Sequence, residues 1–410
     1  MMKNKILMAF LGAIFLSFAL TVNPTPGLGA EKYVSYLSLA DYTGPIAGLN
    51  VPADMGCEDY FKYLNEQGGI QGIKVKFIGV DTRYDVARGV SAYKRYRRVH
   101  KLLVLNAINT GLGKALVPLI KRDKIIMLAA GEGEAQARLG YTFLWGQCYQ
   151  DAFGAVLDWM VEDWQKKGNP GKPTLGFMGW DNPYGREPLK GGKEYAEKIG
   201  VKLLPPEFFP PGSLKHDIYL TRLAKGGANY IIAGGVDPTP TNVIRDAYAL
   251  GLTKKIQMIS DFWGPAMGVG VKAHPKELEG TVIPVYYFRG TDALKHPMAK
   301  LWTKYRKKPV SEMPPNYLSG QGWGMAYEEG LKIALKDVGY DKLNGEAMYQ
   351  AYQKLTGRDI FQGIQGPCAY SPTSRRGSKE IKFYKVTGGK VVPITEWRVA
   401  PDTVSLYKKW

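Results

Sequence analysis

The stretch Lys101–Leu116, KLLVLNAINTGLGKAL, decides how the rest of the chain is read. Leu102–Ile108 is an apolar run of strand length, and LGKALVPLIKRD, Leu112–Asp123, then reads as a helix. The two segments are joined by Asn109-Thr110-Gly111, with a second glycine at Gly113. A strand that turns this tightly into a helix leaves the first backbone N–H groups of the helix without internal partners, and such a terminus holds anions. A dinucleotide pyrophosphate, a nucleotide phosphate and a small carboxylate are the three candidates.

The same alternation repeats outward from this point. YVSYLSL at Tyr33, IKVKFIGVD at Ile73 and IIMLAA at Ile125 read as strands, with amphipathic helical stretches between them. PTLGFMGW at Pro173, YIIAGG at Tyr230, IQMIS at Ile256 and GTVIPVYYF at Gly280 continue the pattern. Alternating strand and helix predicts an α/β fold with parallel sheets covered on both faces. Helices dominate from about Lys295 to Lys354, and VTGGKVV around Gly388 reads as a hairpin. Two α/β units of similar layout are expected, one on each side of about Gln147.

The chain has 410 residues, enough for two domains with their own cores. Lys3 and Lys5, the apolar run Ile6–Val22 and the small residues ending at Ala30 predict a cleavable secretory signal over residues 1–30, with an uncleaved membrane anchor as the alternative. Removing two lysines and no acids takes the formal charge from +18 to +16. The densest basic run, YKRYRRVHK, places Lys94, Arg95, Arg98 and Lys101 on one helical face, with Val86, Val90 and Tyr93 on another. That is a solvated face of an amphipathic helix, and no nucleic-acid-binding module accompanies it. The three cysteines, Cys57, Cys148 and Cys368, allow one disulfide by count. His100, His216, His274 and His296 are far apart and there is no C-x-x-C, so no metal site is expected.

In open α/β sheets ligands bind beyond the carboxyl ends of the strands. Six loops qualify: ADYTGPIAG, NTGLG, AGEGE, WDNPYG, GGVDP and SDFWG. The dinucleotide reading fails because Leu116 and Gln136 stand where the third small residue of the fingerprint belongs. No phosphate-binding G-x-x-x-x-G-K-[ST] and no G-x-S-x-G is present. Glu132 and Glu134 are a conceivable acid and base for a hydrolase, but two such residues are more often polar loop residues. The carboxylate reading remains.

LADYTGPIAGLNVPADMGCEDYFKYLNEQGGIQGIKVKFIGVDTRYD, Leu39–Asp85, resembles the start of periplasmic binding proteins for branched-chain amino acids. The shared features are Thr43-Gly44-Pro45, the run from Asn65 to Gly72, and Asp81 closing the next strand; WDNPYG, GLTKKIQMI and LEGTVIPV extend the likeness along the chain. The resemblance implies a two-lobed type I periplasmic-binding fold with three hinge crossings, near Gln147, Val285 and Phe361. Lobe 1 would comprise 31–147 plus 286–360, and lobe 2 would comprise 148–285 plus 361–410. It further implies a monomer, without cofactor or catalytic residues, that captures a small amino acid or related carboxylate in the periplasm and delivers it to an ABC permease. The alternatives are a sensory module of the same fold and a hydrolase using the same cleft.

By the same resemblance, the carboxylate falls to Thr110, Gly111 and Leu112, with Thr110 otherwise only a helix cap. The ammonium side falls on Gly131 and Gly133, flanked by Glu132, where the usual small hydroxyl residue is missing. Tyr184 would pack on the ligand. The acidic position falls at Asp261 or Phe262; if Phe262 occupies it, Asp237, Glu132 or Asp261 takes the role, or the ligand has no amine. Trp180, Tyr184, Phe262 and Trp263 would give an aromatic-lined pocket.

Overall fold

The computed structural model describes residues 31–98, 101–261, 263–264 and 270–410. The expected signal segment (1–30), His100 and Phe262 lie outside the described residues. The first sheet is built from β1 (Tyr33–Ala40), β2 (Lys74–Asp81), β3 (Leu102–Ala107), β4 (Ile126–Ala129) and β5 (Thr142–Leu144). Their order is β2-β1-β3-β4-β5, all parallel. β3 and β4 are buried at every position, which is why they read as continuous apolar runs rather than alternating ones.

The second sheet contains β6 (Thr174–Trp180), β7 (Lys202–Leu203), β8 (Glu207–Phe209), β9 (Tyr230–Ala233), β10 (Gln257–Ser260) and β11 (Val282–Val285). It is completed by β12 (Glu380–Thr387), β13 (Lys390–Pro393) and β14 (Arg398–Val399). The order is β13-β12-β11-β10-β9-β6-β7, with β8 also beside β6 and β14 beside β12. Strands β6 to β11 pair in parallel; β12 runs antiparallel to β11, β13 and β14. The expected hairpin is there, with Thr387 opposite Lys390 across Gly388-Gly389.

The segment after β11 returns to the first sheet. Helix Tyr317–Lys342 lies along helix Ala47–Glu66, and two glycines set the spacing. A Cβ on Gly56 would collide with the Tyr317 carbonyl, and one on Gly320 with the Ala53 carbonyl. Polar contacts fix the register: Asn316 Nδ2 donates to Leu49 O (3.1 Å), Tyr317 Oη to Asp59 Oδ2 (2.8 Å) and Tyr327 Oη to Ser35 O (3.3 Å).

The chain therefore passes between the sheets three times, and the passages adjoin. Leu144 N donates to Arg375 O and Gly377 N to Gly146 O, both at 2.7 Å, while Phe288 N donates to Ile364 O (2.7 Å). The third passage thus runs beside the second at Ile364 and beside the first at Arg375 and Gly377.

Two sequence expectations change. The basic helix spans only Val86–Tyr96, so Lys101 is not on its face; Lys101 sits at the start of β3, donates to Tyr340 O (2.6 Å) and lies over the Tyr340 ring. Val86 is exposed rather than packed. The three cysteines are all free and buried, so the disulfide allowed by their number is not formed. Burial pushes the Cys368 thiol up to about 12.

Candidate functional site

The loops at the carboxyl ends of the two sheets face each other, and the helix that begins at Thr110 opens onto the space between them. Asn109, not Thr110, caps this helix: its Oδ1 accepts from Leu112 N (3.1 Å), its Nδ2 donates to Tyr84 O (2.8 Å), and Gly113 N donates to Asn109 O (2.8 Å). Thr110 is the first helical residue. Leu112 is fully buried against the core that includes Leu37, Leu105 and Leu116. With its amide held by Asn109, Leu112 offers an anion nothing. The amides left by helix geometry are those of Thr110 and Gly111.

Thr110 Oγ1 lies 3.2 Å from Tyr149 Oη. The Tyr149 ring packs edge-on against Tyr184 at 5.2 Å, and Tyr184 against Trp180 at 5.9 Å. Tyr184 Oη donates to Gly235 O (3.3 Å). Thr110 and Tyr184 face a common gap, lined also by Ile46, Leu49, Tyr84, Ile108, Ala130, Tyr149, Val236 and Trp263. Ile46, Tyr84, Ile108, Thr110 and Ala130 come from the first sheet's loops; Tyr184, Val236 and Trp263 come from the second's.

Asp261 follows β10. It accepts from Trp263 N (3.2 Å), and the Tyr184 hydroxyl faces its carboxylate. Burial first, and then the negative charge of Asp261, hold the Tyr184 hydroxyl far above its ordinary pKa; burial and then the neighbouring Tyr287 do the same for Tyr286, with Asp261 a minor contributor. One acid therefore stands in an aromatic wall opposite the helix start.

The remaining expected site residues are Gly131, Glu132, Gly133 and Asp237. Gly131 has φ +44° and accepts from Tyr149 N through its carbonyl (2.9 Å); a Cβ there would come within 2.8 Å of the Tyr149 ring. Gly131 thus seats Tyr149, and the left-handed backbone conformation explains why a glycine is used. Gly133 lies against the Gln150 amide. Glu132 is buried beside Lys114, at 4.0 Å, and Glu134 also reaches Lys114, at 3.7 Å. Burial pushes the Glu132 carboxyl up to about 8, with Lys114 opposing. Asp237 accepts a hydrogen bond from the Thr241 hydroxyl, with His274 close by, so its carboxylate is tied to helix Thr239–Ala249.

Sequence reading missed Tyr84, Tyr149, Tyr286 and Tyr287. Each follows a strand or a passage between sheets, and the Tyr286-Tyr287 pair directly after β11 was the signal available. Trp263 packs against Tyr286 and Tyr287 at 6.0 and 6.1 Å. Among the described residues no group of three or more His, Cys, Asp or Glu could hold a metal ion, and no helix is long and apolar enough to cross a membrane.

The comparisons with known proteins agree with this layout. The chain is 21% identical over 385 residues to the Leu/Ile/Val-binding protein homolog 3 of Brucella melitensis, covering 92% of this chain and 97% of that protein. The fold superposes on a branched-chain amino acid ABC transporter protein from Thermus thermophilus, solved with bound valine (TM-score 0.81, 20% identity, 93% of this chain and 100% of that one). A fatty acid ABC transporter substrate-binding protein from Thermomonospora curvata matches with TM-score 0.75 at 19% identity, over 92% and 95% of the chains. The family model described as periplasmic binding protein matches residues 38–390. With that match spanning most of its length, this chain belongs to the periplasmic binding protein family.

Proposed function

We propose that the chain captures a small amino acid or related carboxylate between two lobes, each built on one of the sheets, and delivers it to a membrane ABC permease. As a family member it is an extracytoplasmic solute-binding protein and not an enzyme. The observation that carries the ligand reading is the facing pair of half-sites: the Thr110 hydroxyl and two helix-terminal amides on one side, Tyr184 and Asp261 on the other.

The first half-site suits a carboxylate, because charge-assisted hydrogen bonds to amides at a helix N-terminus are strong. Asp261 suits an ammonium group. The rings of Tyr84, Tyr149, Tyr184 and Trp263 suit an apolar side chain. The Leu/Ile/Val names of the relatives and the valine in the Thermus structure support the same class.

Closure follows from contacts made on both sides. A ligand that touches only one lobe favours neither state; one that touches both favours the shut form by its differential affinity. A micromolar ligand has about 8 kcal/mol of binding free energy available for this. The three adjoining passages would act as the hinge, the protein would work as a monomer, and the segment 1–30 would be removed on export.

A thermal-shift screen against the L-amino acids, their deaminated acids and medium-chain fatty acids tests the reading, together with mass spectrometry of material released on denaturation. Stabilisation by one or a few small carboxylates is expected. No shift with any carboxylate, and no carboxylate released, would refute it.

A further inference from the structure

Lys114 lies one turn into the helix that begins at Thr110, and its ammonium stands 3.1 Å from Glu187 Oε2. Lys114 belongs with the first sheet, following β3; Glu187 follows β6 of the second. The pair therefore spans the gap between the two loop sets. Lys190 Nζ adds a contact at 3.3 Å to the same Glu187 oxygen, and Gln150 Nε2 donates to Glu187 Oε1 (3.3 Å). On the first side, Glu132 and Glu134 both lie within 4.0 Å of Lys114.

Three carboxylates thus meet two ammonium groups, and Glu134 is also held by the exposed Arg138 guanidinium at 2.7 Å, which leaves Glu132 and Glu187 to the two lysines. Glu132 and Glu187 are buried, at 2% and 1% exposure, where an uncompensated charge is costly. Glu132 Oε2 is buried with no hydrogen-bond donor, and so is Gln150 Oε1. An ionised carboxylate left in that state loses its hydration with nothing in return, and a proton relieves it. Glu187 brings a third carboxylate to this place only when the two sides are together.

We propose that Lys114 and Glu187 form the latch that holds the two lobes shut, and that closing takes up a proton at Glu132. The inference rests on the two-lobed reading above. The groups facing Glu132 are Lys114 and Glu134 from its own side, and Glu187 and Lys190 from the other. Burial is the largest cause of the upward displacement of its carboxyl to about 8; Lys114 opposes it, and Glu187 and Glu134 add to it. The sign follows: Glu187, which arrives with the other lobe, raises the Glu132 carboxyl, so the shut form holds an extra proton over a pH window whose upper end is about 8. Closure is favoured at the acid end of that window, weakens as pH rises through it, and levels off above it.

The test is small-angle X-ray scattering of the full chain, without added solute, between about pH 5 and 9, on the wild type and on Glu132→Gln, Lys114→Met and Glu187→Gln. The wild-type radius of gyration is expected to grow with pH and reach a plateau above about 8. Glu132→Gln should stay compact throughout, while Lys114→Met and Glu187→Gln should be expanded even at the acid end. Circular dichroism checks that each variant is folded; if Lys114→Met is not, Glu187→Gln carries the latch arm alone. A flat wild-type profile, an unchanged pH response in Glu132→Gln, or a compact folded latch variant overturns the proposal. Thermal shifts with L-leucine and L-valine are read separately. Loss of those shifts with the pH response intact would count against the ligand reading and leave the latch standing.

Discussion

Replacing Thr110 by valine keeps the shape of a nearly buried side chain, 6% exposed, and removes only its hydroxyl. In the structure that hydroxyl touches Tyr149 Oη at 3.2 Å, and both line the gap. The helix start depends on Asn109, whose cap to Leu112 N the substitution leaves in place. Stability should therefore change little, by about 1 kcal/mol, since one neutral hydrogen bond is lost and Tyr149 keeps its packing. Binding should change more. A hydrogen bond to a charged group is worth roughly 1.5–3 kcal/mol, and each 1.4 kcal/mol is about tenfold in affinity. Thr110→Val is thus expected to weaken a carboxylate ligand about 10- to 150-fold. Thr110→Ser, which restores the oxygen, should recover most of that loss. The assay is isothermal titration calorimetry with the carboxylate picked out by the thermal-shift screen. Equal affinity in wild type and Thr110→Val would refute the carboxylate role. A serine variant as weak as the valine variant would show that the methyl group, not the hydroxyl, matters.

Three further outcomes are expected. Asp261→Asn should weaken an α-amino acid at least about tenfold while leaving its deaminated analogue nearly unaffected, because only the former presents a cation; calorimetry with leucine and 4-methylpentanoate makes the comparison. Asp151→Ala strips a buried carboxylate that accepts from Arg376 Nε (2.5 Å) and Thr403 N (2.9 Å); with Arg376 still held by Asp402 at 2.7 Å, a loss of about 3 kcal/mol, read from urea unfolding, is expected. Asp54 is fully buried and its carboxyl is pushed up to about 7 by burial, with hydrogen bonds from Tyr42 and Ser38 opposing. A folded-state pKa above the unfolded one means stability present at acid pH and lost as pH rises from about 4 to 7. Asp54→Asn should remove that part of the decline, so the difference between variant and wild type in urea midpoint should change between pH 4.5 and 7.5; a constant difference would refute it.

The strands and the helix starts could be read from local order alone. Buried parallel strands need continuous apolar runs, so LLVLNA and IMLA announced themselves, and the glycines at Gly111 and Gly388 marked the turns that follow. The same logic singled out the loops that carry Thr110 and Tyr184, the resemblance named the two residues, and both line one gap. Neither placed Asp237 and Glu132 better than their loops, because the direction of a side chain depends on what packs beside it. Thr241 ties Asp237 to helix Thr239–Ala249 and Lys114 draws Glu132 under the helix that begins at Thr110. Tyr149, Tyr286 and Tyr287 escaped notice because an aromatic residue near a sheet's end looks like core until the passages between sheets are seen side by side. The sequence by itself determined the α/β class, the alternation of its main strands and helices and the helix start at Thr110, all properties of neighbours along the chain. Only the tertiary structure decided which residues face across that gap, because Thr110, Tyr184, Asp261 and the Lys114–Glu187 pair are brought together by three passages whose geometry no local segment contains.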